Sequence, residues 1–120
     1  MINSIKTTVD VEINDGMIGT KSVKVVGIID KVEMGRNFNQ YNIMYRYEIE
    51  NGEAIKNGIY TLREEEINTL CNSIKELLPE EYDEMSEIES QNIKYYTTFR
   101  VLMAKTFTLE YEEVEFLEDN

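Results

Sequence analysis

The sequence predicts an α+β fold: a largely antiparallel sheet of about four N-terminal strands and one C-terminal strand, packed by two helices, in the order β-β-β-β-α-α-β. Three observations predict it. Apolar and polar residues alternate with a period of two through most of residues 1–60; at Thr61 the spacing changes to three and four; alternation returns after Phe107. At 120 residues the chain is the size of one domain.

Ile5, Thr7, Val9, Val11 and Ile13 alternate with Lys6, Thr8, Asp10, Glu12 and Asn14, a strand with one solvated face, and Asn14-Asp15-Gly16 ends it in a turn. Ser22 to Met34 is apolar on both faces at its centre, which places it inside the sheet, and its phase slips near Gly27, where a bulge is expected. Tyr41, Ile43, Tyr45, Tyr47 and Ile49 form the clearest strand, with Met44 the one exception to its alternation. It stops at Asn51-Gly52, a pair that accepts positive φ at both central positions of a tight hairpin. The returning strand is expected to be short, interrupted by Lys56-Asn57-Gly58 and resuming as Ile59 to Leu62.

Thr61 and Glu64 match a capping box, Glu64 to Glu66 place negative charge on a first helical turn, and Ile67, Leu70, Cys71, Ile74, Leu77 and Leu78 follow on one stripe until Pro79 ends the helix. A second capping pattern, Ser86 with Glu89, precedes Ile88 to Ala104. That segment fits a helical arc through Ile88, Tyr95, Tyr96, Phe99, Leu102 and Met103, and also fits strand alternation. Its length and cap select the helix. Phe107, Leu109 and Tyr111, a slip at Glu112-Glu113, then Val114 and Phe116 predict a final bulged strand. Residues 110–120 are either the outer strand of the domain or an acidic arm that docks on a partner.

The formal charge is −12, and it is uneven: residues 1–60 carry 7 basic and 8 acidic side chains, residues 61–120 carry 5 and 16. Such a surface repels nucleic acid and anionic membrane and attracts basic partners. No signal peptide or membrane-spanning run is visible, so a host cytoplasm or a virion is the expected location. One cysteine makes neither an internal disulfide nor a zinc cluster. Heavy use of Ile, Asn, Lys, Glu and Tyr, with no Trp or His, suits an AT-rich genome, a low-GC bacterium or its phage.

Catalytic chemistry finds little footing. There is no histidine, Cys71 lies on an apolar stripe where burial makes a thiol inert, and no glycines stand in phosphate-loop spacing. No glutamate has a lysine two positions on, as a restriction-type nuclease requires. Glu80, Glu81, Asp83 and Glu84 are the densest acidic group, but they lack the EF-hand pattern and fit a solvated surface better than a metal site. No cofactor or metal is therefore expected.

What remains is recognition. Tyr41, Tyr45 and Tyr47 share a sheet face that is either core or an interface. The first and last strands offer edges for strand addition, and Val114, Phe116 and Leu117 stand among the tail acids. The expected function is a non-enzymatic structural or assembly protein that contacts other subunits, including copies of itself. A small phage virion component such as a head-to-tail connector, neck or tail-region subunit fits best. The alternative is an acidic phage-encoded inhibitor that imitates nucleic acid, with Glu80, Glu81, Asp83 and Glu84 as contacts.

Overall fold

The structure is a computed structural model and describes residues 1–14, 19–36, 39–73 and 87–118. Its strands are β1 (Ile2–Thr7), β2 (Val11–Asn14), β3 (Thr20–Val23), β4 (Val25–Met34), β5 (Gln40–Ile49), β6 (Ala54–Arg63) and β7 (Val114–Glu118). Two helices, α1 (Glu64–Ser73) and α2 (Glu87–Thr106), lie between β6 and β7. Five strands form one antiparallel sheet in the order β6-β5-β4-β1-β7, and β2 and β3 pair as a separate ribbon. The α+β class and the sheet-then-helices-then-strand order hold, with six strands before the helices instead of four.

The two additional strands arise at one corner. Between the pairs Lys6↔Val26 and Val11↔Val23, the first strand has four residues where its partner has two. Backbone groups there leave the ladder for other partners: the Val25 amide donates to Thr7 Oγ1 at 3.0 Å, the Thr8 amide to the Glu113 carbonyl at 2.8 Å, and the Glu50 amide to the Lys24 carbonyl at 3.0 Å. The ribbon thus turns off the sheet, and Val11 packs into the main core. A two-residue excess preserves the parity of alternation, so residues 5–13 show one uninterrupted pattern although they belong to two strands.

β4 lies inside the sheet, as its apolar centre predicts, but its bulge falls between Ile29 and Lys31, not at Gly27. Gly27 serves packing: a Cβ there would stand 2.9 Å from Phe99 Cε2 and 3.1 Å from Ile5 Cγ1. The β5–β6 hairpin also differs from expectation. Gly52 alone has positive φ, at 95°, its amide donates to the Ile49 carbonyl at 2.7 Å, and Ile49 donates to the Glu53 carbonyl at 2.7 Å. The loop is one residue longer than a two-residue turn, with Asn51 Oδ1 accepting from the Glu53 amide at 3.1 Å.

Thr61 does not cap α1. β6 runs unbroken from Ala54 to Arg63, with Lys56, Asn57 and Gly58 paired to Tyr47, Arg46 and Tyr45 instead of interrupting it, and Thr61 donates its hydroxyl to Asn42 Oδ1 on β5 at 2.9 Å. Glu66 Oε1 instead accepts the Arg63 amide at 3.1 Å, a side-chain return onto the residue before the helix. The end of α1 at Pro79, the Ser86 cap and the Asp15-Gly16 turn lie outside the described residues. α2 is helical throughout Glu87–Thr106. It closes where Leu109 donates to the Ala104 carbonyl at 2.8 Å and Thr108 takes φ of 56°. Residues 107–110 therefore make the helix exit, not the start of a strand, and a 3-10 turn, Tyr111–Glu113, leads into β7. No described helix is long and apolar enough to cross a membrane.

Candidate functional site

Alternation in β5 assigns its odd residues to one sheet face. Ile43, Tyr45, Tyr47 and Ile49 are buried there, with Tyr45 and Tyr47 in the core cluster that includes Phe99 and Met103 of α2. Phe99, fully buried on α2, stacks on Tyr47 with ring centres 5.6 Å apart and tilts against Tyr45 at 5.4 Å. Tyr60 of β6 stacks on Tyr45 at 4.4 Å, and the Tyr47 and Tyr60 hydroxyls are 3.3 Å apart. Tyr60 reaches Thr106 Oγ1 of α2, also at 3.3 Å. Burial raises all these phenols that shift, Tyr45 to about 12 and Tyr47 further, with the neighbouring Tyr60 adding to both. The shared tyrosine face is therefore core. Tyr45 and Tyr47 are unavailable to a partner, because Phe99 of α2 and the core around it cover them. Tyr41, half-buried, leans on Tyr95 of α2 at 6.2 Å.

The helix is also sewn to β1 and β7. Asn92 accepts the Ile2 amide and donates to the Ile2 carbonyl, both at 3.0 Å, and so extends the backbone pairing of β1 onto a side chain. Tyr96 donates its hydroxyl to the Asn3 carbonyl at 2.8 Å and accepts the Ile29 amide at 3.2 Å, joining β1, β4 and α2 at the bulge. These residues border a shallow groove of about 360 Å³ beside Asp30 and Lys31. Its polar groups are already engaged, Asp30 with Arg46 at 3.2 Å and Lys31 with Glu33. Cys71 is buried on α1, bonds toward Thr98 and the Lys94 carbonyl, and its thiol is pushed up by burial. Among the described residues no three His, Cys, Asp or Glu side chains gather as a metal site would need.

The tail is a strand of this sheet. β7 pairs with β1 through Thr7↔Val114, Ile5↔Phe116 and Ser4↔Leu117. Val114 is fully buried, Phe116 packs against the core, and Leu117 is half-buried on the other face. Arg100 of α2 locks this element: its guanidinium lies 3.9 Å from the Tyr111 ring centre and 4.7 Å from that of Phe116, and donates to the Tyr111 carbonyl from Nε and Nη2. Of the residues read as an outer strand or an arm, 114–118 form the outer strand of the sheet. Glu80, Glu81, Asp83 and Glu84 lie outside the described residues.

The face opposite α2 carries the even residues of β5. Val26 and Ile28 of β4 and Met44 of β5 are half-buried on it, and Ile59 of β6 is 57% exposed. Arg46 divides this apolar centre, 3.2 Å from Asp30 and 3.4 Å from Glu48, and Lys6 meets Glu50 at 3.2 Å on its border. No described helix packs on it. Met44, the lone break in the β5 alternation, was the sequence signal for this face. The edges of the sheet are β6 and β7; β1, lying between β4 and β7, is not an edge as expected from its place in the chain. No protein-family model, curated protein or solved structure matches the chain.

Proposed function

We propose that this chain is a non-enzymatic structural or assembly protein acting through protein–protein contacts, with copies of itself among its partners. The observation that carries the reading is the sheet with one closed face and one open face, where Val26, Ile28, Met44 and Ile59 stand among charges of both signs. Such a mixture of apolar centre and polar surround is the make-up of protein contact surfaces. The finer form of the proposal, a small phage virion component such as a head-to-tail connector, neck or tail-region subunit, draws its support from the AT-rich residue usage and the small domain. Light scattering on the purified chain at low and high salt tests it. A defined oligomer that survives high salt is expected; a monomer at every concentration would overturn self-assembly.

The acidic-inhibitor reading has one observation of its own: Glu110, Glu112, Glu113, Glu115 and Glu118 follow Lys105 with no basic residue among them. It requires a basic partner whose binding weakens steeply with salt and is lost when Glu80, Glu81, Asp83 and Glu84 are reversed to lysine. Binding that ignores both changes would exclude charge mimicry.

A further inference from the structure

We infer that copies of this chain join head to tail through the two unlike edges of the sheet, β6 of one copy against β7 of the next. This rests on the assembly reading above and adds the surface that performs it. Among the described residues each edge strand has a neighbour on one side only, β5 for β6 and β1 for β7, so each presents a row of backbone donors and acceptors outward.

The charges on the two edges differ in sign. β6, Ala-Ile-Lys-Asn-Gly-Ile-Tyr-Thr-Leu-Arg, carries Lys56 and Arg63 and no acid; β7, Val-Glu-Phe-Leu-Glu, carries Glu115 and Glu118 and no base. All four of these residues are exposed. Charge on an edge strand ordinarily guards against pairing, and here it guards against one kind. A contact between two β6 edges would hold only basic residues and one between two β7 edges only glutamates, so pairing of like edges offers no pair of opposite charges. Pairing of unlike edges brings opposite charges together. Arg63 already has Glu65 at 3.7 Å, but both side chains are more than 70% exposed, and such a pair is weak enough to be exchanged for a new partner.

Sheet topology sets the geometry of the junction. Four antiparallel steps separate β6 from β7, so the two edges run in the same direction. A copy that keeps its helices on the same side as its neighbour's therefore adds β6 parallel to β7. The contact is heterologous, using two different patches, and it propagates until a ring closes or a filament grows instead of stopping at two.

The test is sedimentation velocity on the full chain over a wide concentration range, with two double variants, K56E/R63E and E115K/E118K, each checked by circular dichroism. The wild type is expected to pass beyond a dimer. Each variant alone should associate roughly tenfold more weakly or worse, and an equimolar mixture of the two should recover association, since each then supplies the edge the other lacks. The milder K56Q/R63Q and E115Q/E118Q pairs should lose less. Oligomers that persist unchanged in both reversed variants, or that stop at a dimer, would overturn the edge pairing and leave the assembly reading standing. A wild type that is monomeric throughout would overturn both.

Discussion

The two faces of β5 share one backbone and one set of ladder partners, yet they hold the molecule together in different ways. Ile43, Tyr45, Tyr47 and Ile49 reach at most 7% exposure, while Asn42, Met44, Arg46 and Glu48 are only half-buried. The difference is the cover over the odd residues, which at Tyr45 and Tyr47 is α2. Beneath it, apolar area leaves water completely, worth about 1.5–3 kcal/mol for a large side chain, and the rings add offset and tilted contacts. On the other face the ion pairs are only partly buried, each worth about 0–1 kcal/mol. One face therefore fixes the fold, and the other adds little to its stability.

Truncating the centre of the covered face should break this asymmetry most. Phe99→Ala removes the ring that touches Tyr45, Tyr47, Tyr60 and Tyr96, and urea unfolding should show a loss of about 3–5 kcal/mol; a loss below 1 kcal/mol would mean that α2 does not sit over this site. Filling the same contact from the strand side comes next. In Gly27→Val the first added carbon already presses on Phe99 and Ile5, so a cost of about 1–3 kcal/mol is expected, measured as a lower denaturant midpoint.

Alkaline pH probes the covered face without mutation. Tyr45 and Tyr111 are pushed up to about 12, and Tyr47 is raised further, in each case chiefly by burial. A phenol with its folded pKa above its unfolded value of about 10 stabilises the fold fully below that value and loses the contribution as pH rises through the folded pKa. Phenolate absorbance and loss of ellipticity should therefore rise together between about pH 10 and 12. A smooth phenolate titration centred near 10 for all eight tyrosines, with ellipticity unchanged, would show that none is held back by burial. The smallest effect belongs to the open face. Arg46→Met removes two solvent-screened ion pairs but keeps the strand, and should change stability by less than about 1 kcal/mol. A loss as large as that of Phe99→Ala would make the open face a second core.

The candidate surfaces were legible in part. Periodicity picked out Tyr45, Tyr47, Val114 and Phe116 as members of apolar faces, but an apolar face reads the same in sequence whether a helix of the same chain or another molecule covers it. The open face was less visible, because Val26 and Ile28 stand in a strand apolar on both sides and Met44 registers only as an exception. Asn92 and Arg100 gave no signal, and Tyr96 only that of an apolar helical arc, because each acts on backbone 11 to 93 positions away.

The sequence by itself determined the α+β class, the change from strands to helices in the residues 61–64, the inner position of β4 and the uneven charge, since all four follow from local periodicity and composition. Tertiary structure decided that 88–104 is helix, because a segment compatible with both periods takes the one that lays Phe99 on Gly27 and Tyr47. It also decided that β1 and β2 are separate strands. A corner with two extra residues keeps every side chain on its face, so only the partners of the Thr8, Val25 and Glu50 amides reveal it.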